Sequence, residues 1–196
     1  MLDRLQATFK TGNEPLTCNG KTLRFSLLDF WKWSVSDLLS NATRGRLAEF
    51  IVATACNMEM IKVREEWDAY DLETPDSIKI EVKSSAYLQS WYQKTLSKIS
   101  FSIRMKGYWD AATNKLNPDK GRQADVYVFC LLHYQDKYTV DPLNMDQWEF
   151  YVLATKEVNE YKRSKHSITL KSLQALTPSV RYEHLHEAIE RKNELT

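Results

Sequence analysis

Tyr70-Asp71-Leu72-Glu73-Thr74-Pro75-Asp76-Ser77-Ile78-Lys79-Ile80-Glu81-Val82-Lys83 carries the pattern of a β-hairpin with two carboxylates and a lysine on one face. Ile78, Ile80 and Val82 alternate with Lys79, Glu81 and Lys83, which is the period of a half-buried strand. Tyr70 and Leu72 alternate with Asp71 in the same way, and Pro75-Asp76-Ser77 supplies turn chemistry between the two runs. A three-residue turn places Asp71 opposite Glu81, Leu72 opposite Ile80 and Tyr70 opposite Val82. The apolar side chains then share one face, and Asp71, Glu81 and Lys83 share the other. A two-residue turn would pair Leu72 with Lys79 and Tyr70 with Glu81, mixing the faces. A slip of one residue flips every side chain, so the apolar pattern selects the longer turn. Two carboxylates and an ammonium crowded on one sheet face suit a divalent cation better than a plain surface.

Upstream of the hairpin, residues 27–40 carry Leu27, Leu28, Phe30, Trp31, Val35, Leu38 and Leu39 at the spacing of an amphipathic helix. Its aromatic residues, with Trp33, are read as core ahead of interface. A second helix starts near Asn41-Ala42-Thr43, with Thr43 as its cap, and runs to about Asn57. Downstream, Lys98–Arg104 alternates as a strand, and 106–123 reads as a long loop, with or without a short helix. The continuous apolar run 124–132 reads as a central strand buried on both faces. Trp148–Ala154 is a further strand, and helices are expected near 169–176 and 180–192. This order gives one α/β (α+β) sandwich, a mixed central β-sheet flanked by helices. The hairpin, 99–104, 125–133 and 148–154 are its strands. At 196 residues the chain is one domain, with a core of about 42–155, an N-terminal helical segment 1–41 and a C-terminal helical segment 156–196.

Composition narrows the function classes. With 43% hydrophobic and 27% charged residues and a net charge of +1, any anionic partner is held by a local patch and not by the whole-molecule field. Cys56 and Cys130 lie in apolar runs and read as buried thiols of a reducing compartment. No segment has the roughly 20 apolar residues of a membrane span, so a cytoplasmic protein with no membrane partner is expected. His184 and His186, two apart in a helical stretch, point to different sides and do not read as a metal pair.

The hairpin can do chemistry. Mg²⁺ takes oxygen ligands and one or two protein carboxylates, which Asp71 and Glu81 can supply, with the Val82 backbone carbonyl as a third ligand. Lys83 can orient or deprotonate a water, or offset charge on a phosphate. The plainer reading is a solvated strand face with a surface ion pair. Glu49 shifts the balance. In Arg44-Gly45-Arg46-Leu47-Ala48-Glu49-Phe50-Ile51-Val52-Ala53-Thr54-Ala55-Cys56 the half after Glu49 is apolar on nearly every side, so the helix reads as buried. A carboxylate there needs a partner, either a metal site on the adjacent sheet or a base such as Arg46.

A Gly-x-x-x-Glu helix, an Asp-bearing hairpin, Glu81-Val82-Lys83-Ser84-Ser85 and a β-rich second half resemble the PD-(D/E)xK nuclease superfamily, the restriction-endonuclease-like fold. The resemblance covers about residues 42–155. It implies Mg²⁺-dependent (or Mn²⁺-dependent) hydrolysis of phosphodiester bonds, of DNA ahead of RNA. It implies Asp71 and Glu81 as metal ligands and Lys83 as the catalytic lysine, with Glu49 reaching the metal through a water or holding a second ion. Asp68 is the alternative to Asp71, because a two-residue turn would bring it opposite Lys83. The superfamily often has Pro before the Asp, where this chain has Tyr70. Gln89 is carried over weakly from members with a Gln after the lysine. Lys94, Lys98, Arg104 and Lys106, among Tyr87, Trp91, Tyr92, Tyr108 and Trp109, form a basic and aromatic region suited to phosphates and unpaired bases. The rival function is a non-cleaving nucleic-acid-binding or protein-interaction module on the same fold. A homodimer is an expectation by analogy, since many enzymes of this fold cut two strands as dimers.

Overall fold

The computed structural model describes residues 5–59, 63–64, 69–110 and 115–195, with only the backbone path at Lys106, 108–110 and 115–120. In chain order the elements are β1 (Pro15–Cys18), β2 (Lys21–Ser26), α1 (Leu27–Val35), α2 (Asn41–Ala55), β3 (Leu72–Glu73), β4 (Lys79–Ala86), β5 (Ser100–Ser102), β6 (Lys106–Asp110), β7 (Lys115–Gly121), β8 (Val126–Leu132), β9 (Trp148–Ala154), α3 (Thr155–Glu160), β10 (Ser167–Thr169), α4 (Leu170–Gln174) and α5 (Leu185–Asn193).

The central sheet has the order β3-β4-β8-β9. β4 and β8 are parallel and the outer pairs antiparallel, so the sheet is mixed. The expected α+β class holds. β8 is buried at every residue, as a continuous apolar run with layers on both faces requires. On one face Ile80, Val82, Val126, Val128 and Cys130 pack with Ala48, Ile51 and Val52 of α2 and with Leu185 and Ile189 of α5. On the other face Tyr127, Phe129, Leu131, Tyr151 and Leu153 pack with Phe101, Ile103, Val158, Ile168 and Leu173. Each fully buried Leu, Ile, Val or Phe contributes about 1.5–3 kcal/mol, so these two clusters hold the layers together.

Several elements differ from the sequence reading. The strand at 99–104 is shorter, Ser100–Ser102, and pairs with β10 outside the central sheet. Where a loop with or without a short helix is expected, β6 and β7 are strands that pair antiparallel. Ser40, not Thr43, caps α2, its side chain accepting the Thr43 amide at 3.4 Å. Phe50 is exposed, so α2 is buried along a stripe and not all round. The N-terminal segment carries a β-hairpin as well as a helix, and no residue of α1 is buried. The reading of Phe30 and Trp33 as core is therefore corrected. Cys56 and Cys130 are buried free thiols, as expected. No helix of the described residues is long and apolar enough to cross a membrane.

Candidate active site at the β3–β4 edge

The hairpin register is the one the apolar pattern selects. Leu72 pairs with Ile80 and Glu73 with Lys79. Pro75-Asp76-Ser77 is the loop, closed by the Thr74 amide on the Ile78 carbonyl at 3.0 Å and the Ser77 amide on the Thr74 carbonyl at 2.8 Å. Ser77 takes φ +63°, the left-handed residue that a three-residue hairpin loop requires.

Beyond Leu72 the ladder stops. The Asp71 amide bonds the Ile80 carbonyl at 3.0 Å, and the Asp71 carboxylate accepts the Val82 amide at 2.7 Å. In a continued ladder that amide would meet the Tyr70 carbonyl. Tyr70 is therefore not held opposite Val82 on the apolar face. Its ring packs on the other core and lies 5.5 Å from Lys79 Nζ.

Val82 presents both backbone groups to the edge that β3 leaves open. Its N–H goes to Asp71, and its carbonyl accepts Lys83 Nζ at 3.2 Å. The same ammonium is paired with Glu81. Glu81 is 8% exposed and lies beside Tyr127 of β8. Asp71, Glu81, the Val82 carbonyl and Lys83 thus meet at one point of the sheet edge. Burial first, and then the charge of Glu81, push the Asp71 carboxyl up to about 6; Glu49 adds to the rise, and Lys83 and the Val82 amide oppose it. The same field, added to burial, raises the Cys130 thiol and the Tyr127 phenol.

Glu49 reaches this region from α2. Both of its oxygens are held by Arg64, through Nε and through Nη2 at 3.0 Å. Its partner base is Arg64 and not Arg46. A Cβ on Gly45, one turn before Glu49, would meet nothing within 4 Å, so packing does not demand that glycine. Asp68 lies outside the described residues, as does the Lys106 side chain. Among the described residues no three His, Cys, Asp or Glu side chains gather closely enough to bind a metal together. The oxygen set at the edge is two carboxylates and a carbonyl. That is the kind of donor set a hard cation such as Mg²⁺ takes, since it uses few protein carboxylates.

The sequence reading passes over Arg44. It is 4% exposed and donates to Ser84 Oγ at 3.1 Å, the Leu39 carbonyl at 2.8 Å, Gln89 Oε1 at 3.2 Å and Asn41 Oδ1 at 2.7 Å. It ties α2 to the end of β4 just past Lys83. Gln89 is wired into the same network, donating to the Ala86 carbonyl at 2.9 Å and Ser97 Oγ at 3.2 Å. An arginine in an amphipathic helix gives no sign of this role, because its acceptors lie up to 45 residues away. Lys94, Lys98, Arg104, Trp91 and Tyr92 lie outside the two cores, whereas Tyr87 packs on one of them.

The fold is an α+β sandwich around a mixed sheet, and comparison with known families places it among nucleases. Residues 19–172 match the model of the family described as Bacteriophage T4 endonuclease IV, and the chain belongs to that family. No curated protein matches the chain.

Proposed function

We propose that the protein is a metal-dependent DNA endonuclease of the PD-(D/E)xK type, with its active site at the β3–β4 edge. The observation that carries this is the arrangement around Val82, whose carbonyl and amide are flanked by Glu81, Lys83 and Asp71. Family membership supports cleavage within a strand. Asp71, Glu81 and the Val82 carbonyl would hold Mg²⁺ or Mn²⁺, and the ion would supply neutralisation of charge developing on the phosphate. Glu49 would reach that ion through a water or hold a second ion. Lys83 would hold or release a proton near Glu81 and offset phosphate charge. Lys94, Lys98 and Arg104 would neutralise backbone phosphates, with the exposed Trp91 and Tyr92 available for stacking on bases.

The test is cleavage of single-stranded, duplex and branched DNA, and of RNA, with Mg²⁺, Mn²⁺ or chelator, for wild type, Glu81→Ala and Lys83→Ala. Metal-dependent cutting of DNA, lost in both variants, is the expected result. Cutting that survives chelation or both substitutions would overturn the assignment.

A further inference from the structure

Nothing between residues 15 and 35 is buried, although these residues form a hairpin and a nine-residue helix. Neither element is stable by itself in water: isolated helices this short and lone two-stranded hairpins are both marginal. The unit has a small internal contact. The Leu27 amide bonds the Glu14 carbonyl at 2.8 Å and the Leu28 amide bonds the Gly12 carbonyl at 2.9 Å. Gly12, at φ +93°, approaches Trp31 so closely that a Cβ would lie 3.0 Å from the ring. Around this contact the apolar side chains point outward. Leu16, Phe25, Phe30 and Trp33 line a groove of about 610 Å³, with Ser26, Asp29 and Lys32 among them, and Leu23 continues the β2 face of Phe25. Trp33 is 83% exposed and Phe30 50%.

We infer that this face is a homodimer interface, in which α1 packs antiparallel on α1 of a second copy about a two-fold axis between Phe30 and Trp31. Two features select a second copy. The first is area: the outward surface of these five apolar residues is on the order of 600 Å² before any polar rim, close to the roughly 800 Å² each partner gives a standard interface. The second is charge. Antiparallel pairing about that axis sets Asp29 opposite Lys32 of the other copy, and Lys32 opposite its Asp29, so the one patch is complementary to itself. Asp29 is fit for this role, because bonds from the Ser26 amide and hydroxyl hold its carboxyl below the usual range and ionised. The Phe30 and Trp33 rings, 6.3 Å apart, supply the aromatic centre on which such interfaces depend.

The inference is independent of the chemistry proposed for the β3–β4 edge. Sedimentation of the full chain from low to high micromolar concentration should show a dimer. Trp33→Asp should weaken association by at least about tenfold while leaving the circular dichroism unchanged. Lys32→Glu, at an exposed position that carries no fold, should weaken it too, because the new carboxylate would face Asp29 of the other copy. Mixing Lys32→Glu with an Asp29→Lys variant whose circular dichroism shows that α1 survives loss of its Ser26–Asp29 cap should restore association, since both cross-pairs become attractive in the mixed dimer. A wild type that stays monomeric overturns the inference, as does a Trp33→Asp dimer of unchanged affinity or a mixture that fails to associate. Monomers that bind a single-stranded oligonucleotide through Trp33 would overturn it in favour of a stacking surface.

Discussion

The carboxylate of Asp71 accepts the backbone amide of Val82 at 2.7 Å, across the point where β3 ends. One side chain thereby does two things. It closes the edge of β4, which would otherwise offer an unpaired amide to any passing strand. It also fixes an acidic group beside Glu81 and the Val82 carbonyl, on the side of the strand where Lys83 donates. The end of the ladder and the beginning of the proposed site are one structural event.

That placement has a cost that pH should reveal. Burial and the neighbouring Glu81 raise the Asp71 carboxyl from 3.8 to about 6. The folded state therefore holds this proton more tightly than the unfolded chain does. The sign follows: stability falls as pH rises from about 4 to 6, and the full penalty is present above 6. Asp71→Asn keeps an oxygen for the Val82 amide and removes the charge. Without metal it should be more stable than wild type at pH 8, by about 1–2 kcal/mol after allowance for solvent screening, and not at pH 4. Urea unfolding at the two pH values measures this. An advantage equal at both would mean that the charge is not its source.

Lys83 and Glu81 form a pair in which both partners are largely covered, with side chains 18% and 10% exposed. Lys83→Met removes the ammonium but keeps most of the apolar stem. Cleavage should drop by about 10²-fold or more, as expected for loss of a proton-transfer or charge-neutralising group. Stability should fall by about 1–3 kcal/mol at pH 8, because the largely covered Glu81 carboxylate loses its cation. Single-turnover cleavage and thermal unfolding, run on the same preparation, separate the two effects.

The hairpin is legible in the sequence because its alternation is strict and a wrong register would expose Ile80. The same holds for β8 and β9, whose apolar runs are too continuous for a surface element. Other features are hidden for stated physical reasons. The halt at Asp71 depends on a side chain replacing a ladder carbonyl, and no periodicity records that. Arg64 meets Glu49 from 15 residues away, through a segment with no regular pattern. The β6 and β7 strands read as a loop because Gly107, Asn114, Asn117, Pro118 and Gly121 are turn formers, and the pairing outweighs them. The exposure of α1 escapes the sequence because its apolar spacing is that of a core helix, and spacing does not say which molecule covers the face.

Arg44 is expected to matter more for stability than any neighbouring charge. It fills four acceptors in a nearly sealed position between α2, the Leu39 carbonyl, Ser84 and Gln89. Arg44→Met would leave those partly buried acceptors without their donor. The loss should be about 3 kcal/mol or more, whereas exposed Arg46→Met, two residues on, should change stability by less than about 0.5 kcal/mol. Denaturant midpoints of the two variants decide it, and equal midpoints would remove Arg44 from the framework of the site.

Ser77 tests whether the turn sets the register of the site. At φ +63° it sits where a β-carbon is disfavoured and glycine is not. It follows Pro75-Asp76 in the loop that makes Leu72 meet Ile80 and so carries Asp71 to the edge of β4. Ser77→Gly should be neutral or stabilising by up to about 1 kcal/mol, since relief of strain is offset by the added freedom of the unfolded chain. Ser77→Val should cost about 1–2 kcal/mol, because a β-branched residue strongly resists this conformation. The informative reading is activity below the unfolding transition. If Ser77→Val shifts the strand pairing by one residue, Asp71 leaves Val82 and cleavage falls together with stability. If the pairing holds, stability falls alone. Hydrogen exchange at the Val82 amide separates the two, since that proton is protected only while Asp71 accepts it.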